Sequence, residues 1–220
     1  LIHTVKYKKM ASKITKGILI SCWIVYLAIL GAVVMVFMAI ANGSIGYMPP
    51  VEQLENPIDK YASQVISSDG KALGAYAHSK DNRIYVNYED LSPDLVKALI
   101  ATEDIRFAEH SGIDAQGLFR AIVKRGILMQ KSGSTITQQL AKQLFSPSAD
   151  NMMERLFQKP IEWVIAVQLE RYYTKEEIIN MYLNKFDFLY NAVGIQSASR
   201  VYFGKTPKTL KIEEAATLVG

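Results

Sequence analysis

The chain has 220 residues, 25 Lys and Arg against 21 Asp and Glu, and one cysteine. That length suits one ordinary domain with appendages, and a lone cysteine excludes any disulfide within the chain. Lys6, Lys8, Lys9, Lys13 and Lys16 precede residue 17 and no acid appears before Glu52, which leaves 20 bases against 21 acids in the remainder. The basic excess therefore belongs to the N-terminal tail, and it argues for a membrane surface rather than nucleic acid as a partner.

Residues 1–17 read as a basic tail. Residues 18–40, ILISCWIVYLAILGAVVMVFMAI, carry no charge over 23 positions. As a helix this run would be roughly 34 Å long, against a hydrocarbon core of ~30 Å. Core helices of soluble domains are seldom apolar on every face for this long. The apolar part of a cleavable signal usually has only about 7 to 15 residues. The run predicts a transmembrane helix over 18–41. The lysines before it and the acids after it put the N-terminus in the cytoplasm. Residues 42–60, with Gly43, Gly46, Pro49, Pro50 and Pro57, read as a juxtamembrane linker.

From residue 61 to 220 the pattern is that of one mainly α domain with a small β element. QVISSDGKALGAYA sets Asp69-Gly70 between two short runs and predicts a β-hairpin. Ser92-Pro93 offers an N-cap and a first-turn proline. A second helix is expected over 114–129, with Leu118, Ile122 and Leu128 on or near one face. Ser134 can cap a third helix, TITQQLAKQLF, and Thr174-x-x-Glu177 is a capping box for a fourth. A last helix starts near Ile212. The chain begins with Leu1 and stops at Gly220, straight after the apolar pattern EEAATLV, as expected of a piece of a longer protein.

His3, His78 and His110 are far apart and no Cys/His spacing accompanies them, so no metal site built from the protein is expected. Gly133 in KSGST lacks the lysine of a phosphate-binding loop. Three stretches remain. In ATEDIRFAEHSG, Glu103 falls near a helix C-terminus, where the dipole disfavours an anion; it is either a general base or a solvated acidic helix end. In GSTITQQLAK, Thr135, Gln138 and Lys142 share a face at spacings of three and four. They form either a cradle for phosphate or sugar or an ordinary polar face. In QKPIEWVIAVQLE, Glu162 heads an apolar run and needs a partner. Lys159, one turn earlier, could supply a plain ion pair.

Taken in order behind a single membrane anchor, these stretches resemble the peptidoglycan glycosyltransferases, glycosyltransferase family 51, which form the N-terminal half of class A penicillin-binding proteins. ATEDIRFAEHSGID resembles the family's first motif, GSTITQQLAKQL its second, QKPIEWVIAVQLE its third and YTKEEIINMYLN its fourth. GIQSASRVYFGK and LKIEEAATLVG resemble the fifth and the helix after it. The resemblance implies a mainly α, lysozyme-like domain. It implies an inverting reaction in which lipid II is polymerised into β-1,4 glycan strands and undecaprenyl diphosphate is released. Glu103 matches the general base and Glu162 the second glutamate, near the leaving diphosphate. Ser134, Gln138, Gln139, Lys142 and Lys159 match positions that hold sugar and phosphate. Asp104, Arg106, His110 and Thr135, within the same motifs, are expected to bind substrate beside them. No cofactor is built into the protein, but the resemblance allows a divalent cation, magnesium or manganese, at the substrate diphosphate. Its implied partners are lipid II, the growing glycan strand, the membrane and other cell-wall synthesis proteins. Its implied place is the bacterial inner membrane, crossed once, with the catalytic domain on the outer, periplasmic face.

Three departures accompany the match. Gln158 stands where the family usually has arginine, Pro160 lies within an expected helix, and KFDFLYNAVG replaces a stretch that usually contains glycine. Arg155, one turn before Gln158, is the nearest cation that could compensate. Two rival readings remain: a lysozyme-like enzyme that cleaves glycan, and a non-catalytic scaffold of the wall-synthesis machinery.

Overall fold

The computed structural model describes residues 2–55, 63–69, 72–76, 84–125, 134–145, 152–190 and 192–220, with the backbone alone for stretches that include 2–14, 121–125 and 152–157. The chain divides into two compact units, Leu1–Gly46 and Tyr47–Gly220. The first is a single helix, α1 (Ile2–Ala41). Within it Thr15–Ala41 has a mean hydropathy of 2.8 and is only 6% buried, which sets it apart from the core helix of a soluble domain. Those 27 residues reach about 40 Å, enough to cross a membrane.

The second unit begins inside the stretch expected as a linker. Helix α2 (Val51–Glu55) lies there, Leu54 is buried in the core, and its carbonyl accepts a hydrogen bond from the Tyr173 hydroxyl at 2.8 Å. The expected hairpin follows as β1 (Ser63–Ile66) and β2 (Ala72–Tyr76). They are antiparallel, with Ser63 opposite Tyr76 and a bulge between Val65 and Ile66.

Seven helices and the single 3-10 turns Tyr88–Asp90, Phe107–Glu109 and Pro207–Thr209 are the remaining helical elements among the described residues. The helices are α3 (Pro93–Glu103), α4 (Ala115–Arg125), α5 (Ile136–Phe145), α6 (Met152–Tyr172), α7 (Lys175–Lys185) and α8 (Ile195–Phe203), closed by a last one, α9 (Ile212–Val219). Apolar residues four apart turn one face of α3, α5, α6 and α7 inward: Leu95 and Leu99, Ile136 and Leu140, Ile165 and Leu169, Ile178 and Tyr182. Each buried leucine or isoleucine contributes roughly 1.5–3 kcal/mol of transfer free energy. α5 packs on both α6 and α7, and α3 packs on α9.

The Thr174 capping box forms as expected: Glu177 N–H donates to Thr174 Oγ1, and Thr174 N–H donates to the Glu177 carboxylate. Ser92 precedes α3 but does not cap it with its side chain. Its hydroxyl donates instead to Leu210 O at 3.1 Å. Helix α6 runs through Pro160, which has no N–H to give and so removes one rung of the helical ladder.

Asn184 of α7 pins the extended segment before the first 3-10 turn. It accepts from Val86 N–H and donates to Val86 O, both at 2.9 Å, as a neighbouring strand would. The glycine-poor loop after α7 carries Leu189 and Tyr190 at φ 68° and 48°, a region that costs a non-glycine residue roughly 1–2 kcal/mol. Bonds from Leu189 N–H to Asp187 and from Tyr202 Oη to Phe188 O hold the loop against that cost.

Candidate active site

Helix α3 ends at Glu103 because Asp104 leaves helical geometry, with φ −158° and ψ 75°. The Glu103 carboxylate is partly exposed. Its Oε2 accepts a hydrogen bond from Gln139 Nε2 at 2.6 Å, and Gln139 Oε1 accepts one from the Tyr182 hydroxyl at 3.1 Å. Three helices, α3, α5 and α7, thus meet at one carboxylate. Burial pushes the Tyr182 phenol above its ordinary pKa, and the negative charge of Glu103 adds to the effect.

Asp104, beside it in sequence, faces the other way. It is 7% exposed, accepts the N–H of Ile136 at 3.2 Å and lies 3.1 Å from His110 Nε2 through both oxygens. Because a carboxylate only accepts, Nε2 is the donor; His110 Nδ1 is buried without a hydrogen-bond partner among the described residues. The chain continues through Lys175, whose ammonium donates to His110 O at 2.7 Å and to Glu170 at 2.8 Å. The same ammonium lies 4.2 Å from the centre of the Phe107 ring, and Glu170 accepts from Thr137 Oγ1 at 2.6 Å. This partly buried network joins the end of α3 to α5, α6 and α7. Arg106 is occupied as well. It pairs with Asp114, which also accepts Gly117 N–H and so caps α4. Burial pushes the Asp114 carboxyl up, but the bonds from Arg106 and Gly117 and the arginine's charge outweigh it and hold the group below its ordinary 3.8.

The second carboxylate, Glu162, is 1% exposed on α6. Lys159 Nζ lies 2.9 Å from its Oε2 and donates to Ser134 Oγ at 2.7 Å. Among the described residues no donor is aimed along a hydrogen-bond direction at Oε2, so the Lys159 contact is an ion pair held by charge. Ser134, Lys159 and Glu162 therefore come together, as do Glu103 and Gln139. The 134–142 stretch touches both groups.

Within that stretch the expected cradle face is redrawn. The cap of α5 is Thr135, which accepts Gln138 N–H at 3.1 Å, while Ser134 turns to Lys159. Thr135 and Gln138 are buried and both donate to Gly112 O, at 2.7 and 3.1 Å. Gly112 itself has φ 88°, and a Cβ there would meet the Ala166 carbonyl carbon at 2.8 Å. Thr135 and Gln138 thus anchor the helix, and Gln139 and the exposed Lys142, three apart, form its outward polar face. Arg155 lies on α6, and its side chain is outside the described residues.

Sequence reasoning did not find Tyr182, Glu170 or Lys175. A carboxylate closing the apolar run VIAVQLE, five residues before a lysine in a helix's first turn, is the signal that could have found the last two. Among the described residues no three His, Cys, Asp or Glu side chains converge as metal ligands would. A cavity of about 310 Å³ between Tyr85, Asp90, Gln196, Arg200 and Lys208 includes none of the expected site residues in its lining.

Comparison with known proteins accords with the geometry. Residues 69–220 match the transglycosylase family. The chain is 37% identical over 175 residues to penicillin-binding protein 1A of Escherichia coli (strain K12), covering 79% of this chain and 20% of the relative. It is 35% identical over 198 residues to penicillin-binding protein 1A of Aquifex aeolicus (strain VF5), covering 87% and 26%. Penicillin-binding protein 2a of Streptococcus pneumoniae (serotype 2, strain D39) is 38% identical over 170 residues, covering 77% and 22%. The chain therefore spans about a fifth to a quarter of the length of the curated relatives it matches. With a family match over more than half its residues, the chain belongs to the transglycosylase family, and its mainly α domain is of the lysozyme-like kind.

Proposed function

We propose that this chain is a membrane-anchored peptidoglycan glycosyltransferase that joins lipid II units into β-1,4 glycan strands. One observation carries the reading: the 134–142 stretch meets both carboxylates, Glu103 through Gln139 and Glu162 through the Ser134–Lys159 contact. In the proposed step Glu103 removes the proton from the acceptor's sugar 4-hydroxyl. That oxygen bonds to C1 of the growing chain's terminal sugar, the C1–oxygen bond to the diphosphate breaks, and the lipid diphosphate leaves with the electron pair. Attack opposite the leaving group inverts C1. A positioned base typically contributes ~10²- to 10⁴-fold, or roughly 3–5 kcal/mol of barrier.

Lys159 and Lys142 are the cations we assign to the diphosphate, with Arg155 added in place of the arginine absent at position 158. Ser134 and Gln139 supply polar contacts to sugar and phosphate. A divalent ion fits here only as one shared with the substrate, since Glu162 offers a single carboxylate and Lys159 already stands at one of its oxygens. Such an ion would neutralise charge on the leaving diphosphate. The anchoring helix suits a substrate with a lipid tail. The lysines before it support an orientation with the N-terminus in the cytoplasm and residues 47–220 on the outer face of the inner membrane. Protease added to spheroplasts should then cut the domain and spare the basic tail; the reverse pattern overturns the orientation.

The test is to incubate the full chain and its Glu103→Gln variant with lipid II and separate the products by gel. Polymer from the wild type, and less than a few per cent of it from the variant, supports the reading. The fold should be retained, because the new amide oxygen can still accept from Gln139. Cleaved glycan would identify a hydrolase, and unchanged lipid II a scaffold.

A further inference from the structure

The Gln139 amide has two ends of nearly equal shape and opposite chemistry, and only one suits Glu103. A carboxylate accepts hydrogen bonds and cannot donate them, so the end facing Glu103 must be the NH₂ group, at 2.6 Å. The amide oxygen then faces away, and at 3.1 Å from it stands the Tyr182 hydroxyl. With the carbonyl as its partner, that hydroxyl can only donate. We propose that Tyr182 is a positioning residue for Glu103: its hydroxyl holds the far end of the Gln139 amide, and so holds the base in one place.

The surroundings suit this task. The ring is 3% exposed and lies 5.3 Å from Phe186, so packing sets the hydroxyl's direction. Burial and the nearby Glu103 charge both raise the phenol's pKa, so the hydroxyl remains a donor throughout the working range. Gln139 is only partly buried and has no other side-chain partner among the described residues. Without Tyr182 the amide keeps only its bond to Glu103 and can swing about it, so the carboxylate loses its fixed position. Displacement of a catalytic group by a fraction of an ångström costs rate rather than substrate binding.

This inference rests on Glu103 being the base, and the test separates the two. The full chain, Tyr182→Phe, Gln139→Met and the double variant are assayed on lipid II, with rates normalised to folded protein by circular dichroism. Tyr182→Phe keeps the ring and its packing, so a merely structural role predicts an unchanged normalised kcat. Positioning predicts a loss of about tenfold in kcat with KM held within about twofold. It also predicts that the double variant is no slower than Gln139→Met alone, because the hydroxyl acts only through the amide. Wild-type kcat in Tyr182→Phe, or losses that multiply in the double variant, overturn the positioning role while leaving the base assignment standing. A wild type that makes no polymer overturns both.

Discussion

Replacing Lys159 with methionine keeps much of the stem and removes the charge facing Glu162. At the observed 2.9 Å, the gross attraction is about 1.4 kcal/mol in bulk water and about 6 kcal/mol at an effective dielectric constant of about 20. Lys159 is 53% exposed, so screening pulls the value toward the lower figure. Glu162 is 1% exposed, and orphaning a fully buried charge costs about 3–5 kcal/mol. Between these limits we expect a loss of about 2 kcal/mol, or roughly 4–8 °C in Tm for a chain of this size. Adding Glu162→Gln should restore most of that stability, since an amide needs no counter-charge, while polymerisation stays lost. Thermal unfolding of the wild type, both single variants and the double in detergent reads the effect, with lipid II turnover measured in parallel. A Lys159→Met variant that unfolds at the wild-type temperature would refute the argument, because Glu162 would then owe its tolerance of burial to something else.

Lys142→Ala and Arg155→Gln should each lower turnover and weaken binding of undecaprenyl diphosphate, because each removes a cation assigned to the leaving group. Lys142 is exposed, so its loss should leave stability within about 0.5 kcal/mol, and wild-type affinity in both variants would remove these cations from the site. Asp114→Asn should flatten the acid limb of the stability profile. The unfolded carboxyl protonates near 3.8 and the folded one only at lower pH, so its contribution is full above that range and disappears as pH falls through the folded value. Urea unfolding at pH 3 and pH 7 measures the difference; equal slopes in wild type and variant would mean the Arg106 pair contributes nothing.

The motif order, the apolar helix, the hairpin and the Thr174 box were legible in the sequence because each depends on residues close together along the chain. The inward turn of Thr135 and Gln138 was not. It depends on the Gly112 carbonyl, more than 20 residues earlier, which needs donors once its backbone lies against α6. Nor could sequence separate the neighbours Glu103 and Asp104. One faces Gln139 and the other the N-terminus of α5, and the choice is made by the dihedral angles that end α3. The same limit applies to Tyr182, which reads as one more apolar residue of α7 until α5 is packed beside it.

The contact between the Ser92 hydroxyl and the Leu210 carbonyl spans 118 positions, and it has a consequence during synthesis. At ~5–20 residues per second a ribosome needs roughly 6–24 s to travel from one partner to the other. Tyr173 and Leu54, 119 positions apart, impose a similar wait. The nascent segment that will carry Glu103 must therefore stay unfinished, with α3 lacking the α9 face it packs on, until nearly all of residues 47–220 have emerged. Closure between early and late segments slows folding. In a cell making this protein α3 thus waits without its α9 partner for that interval, while α1 has been complete almost from the start.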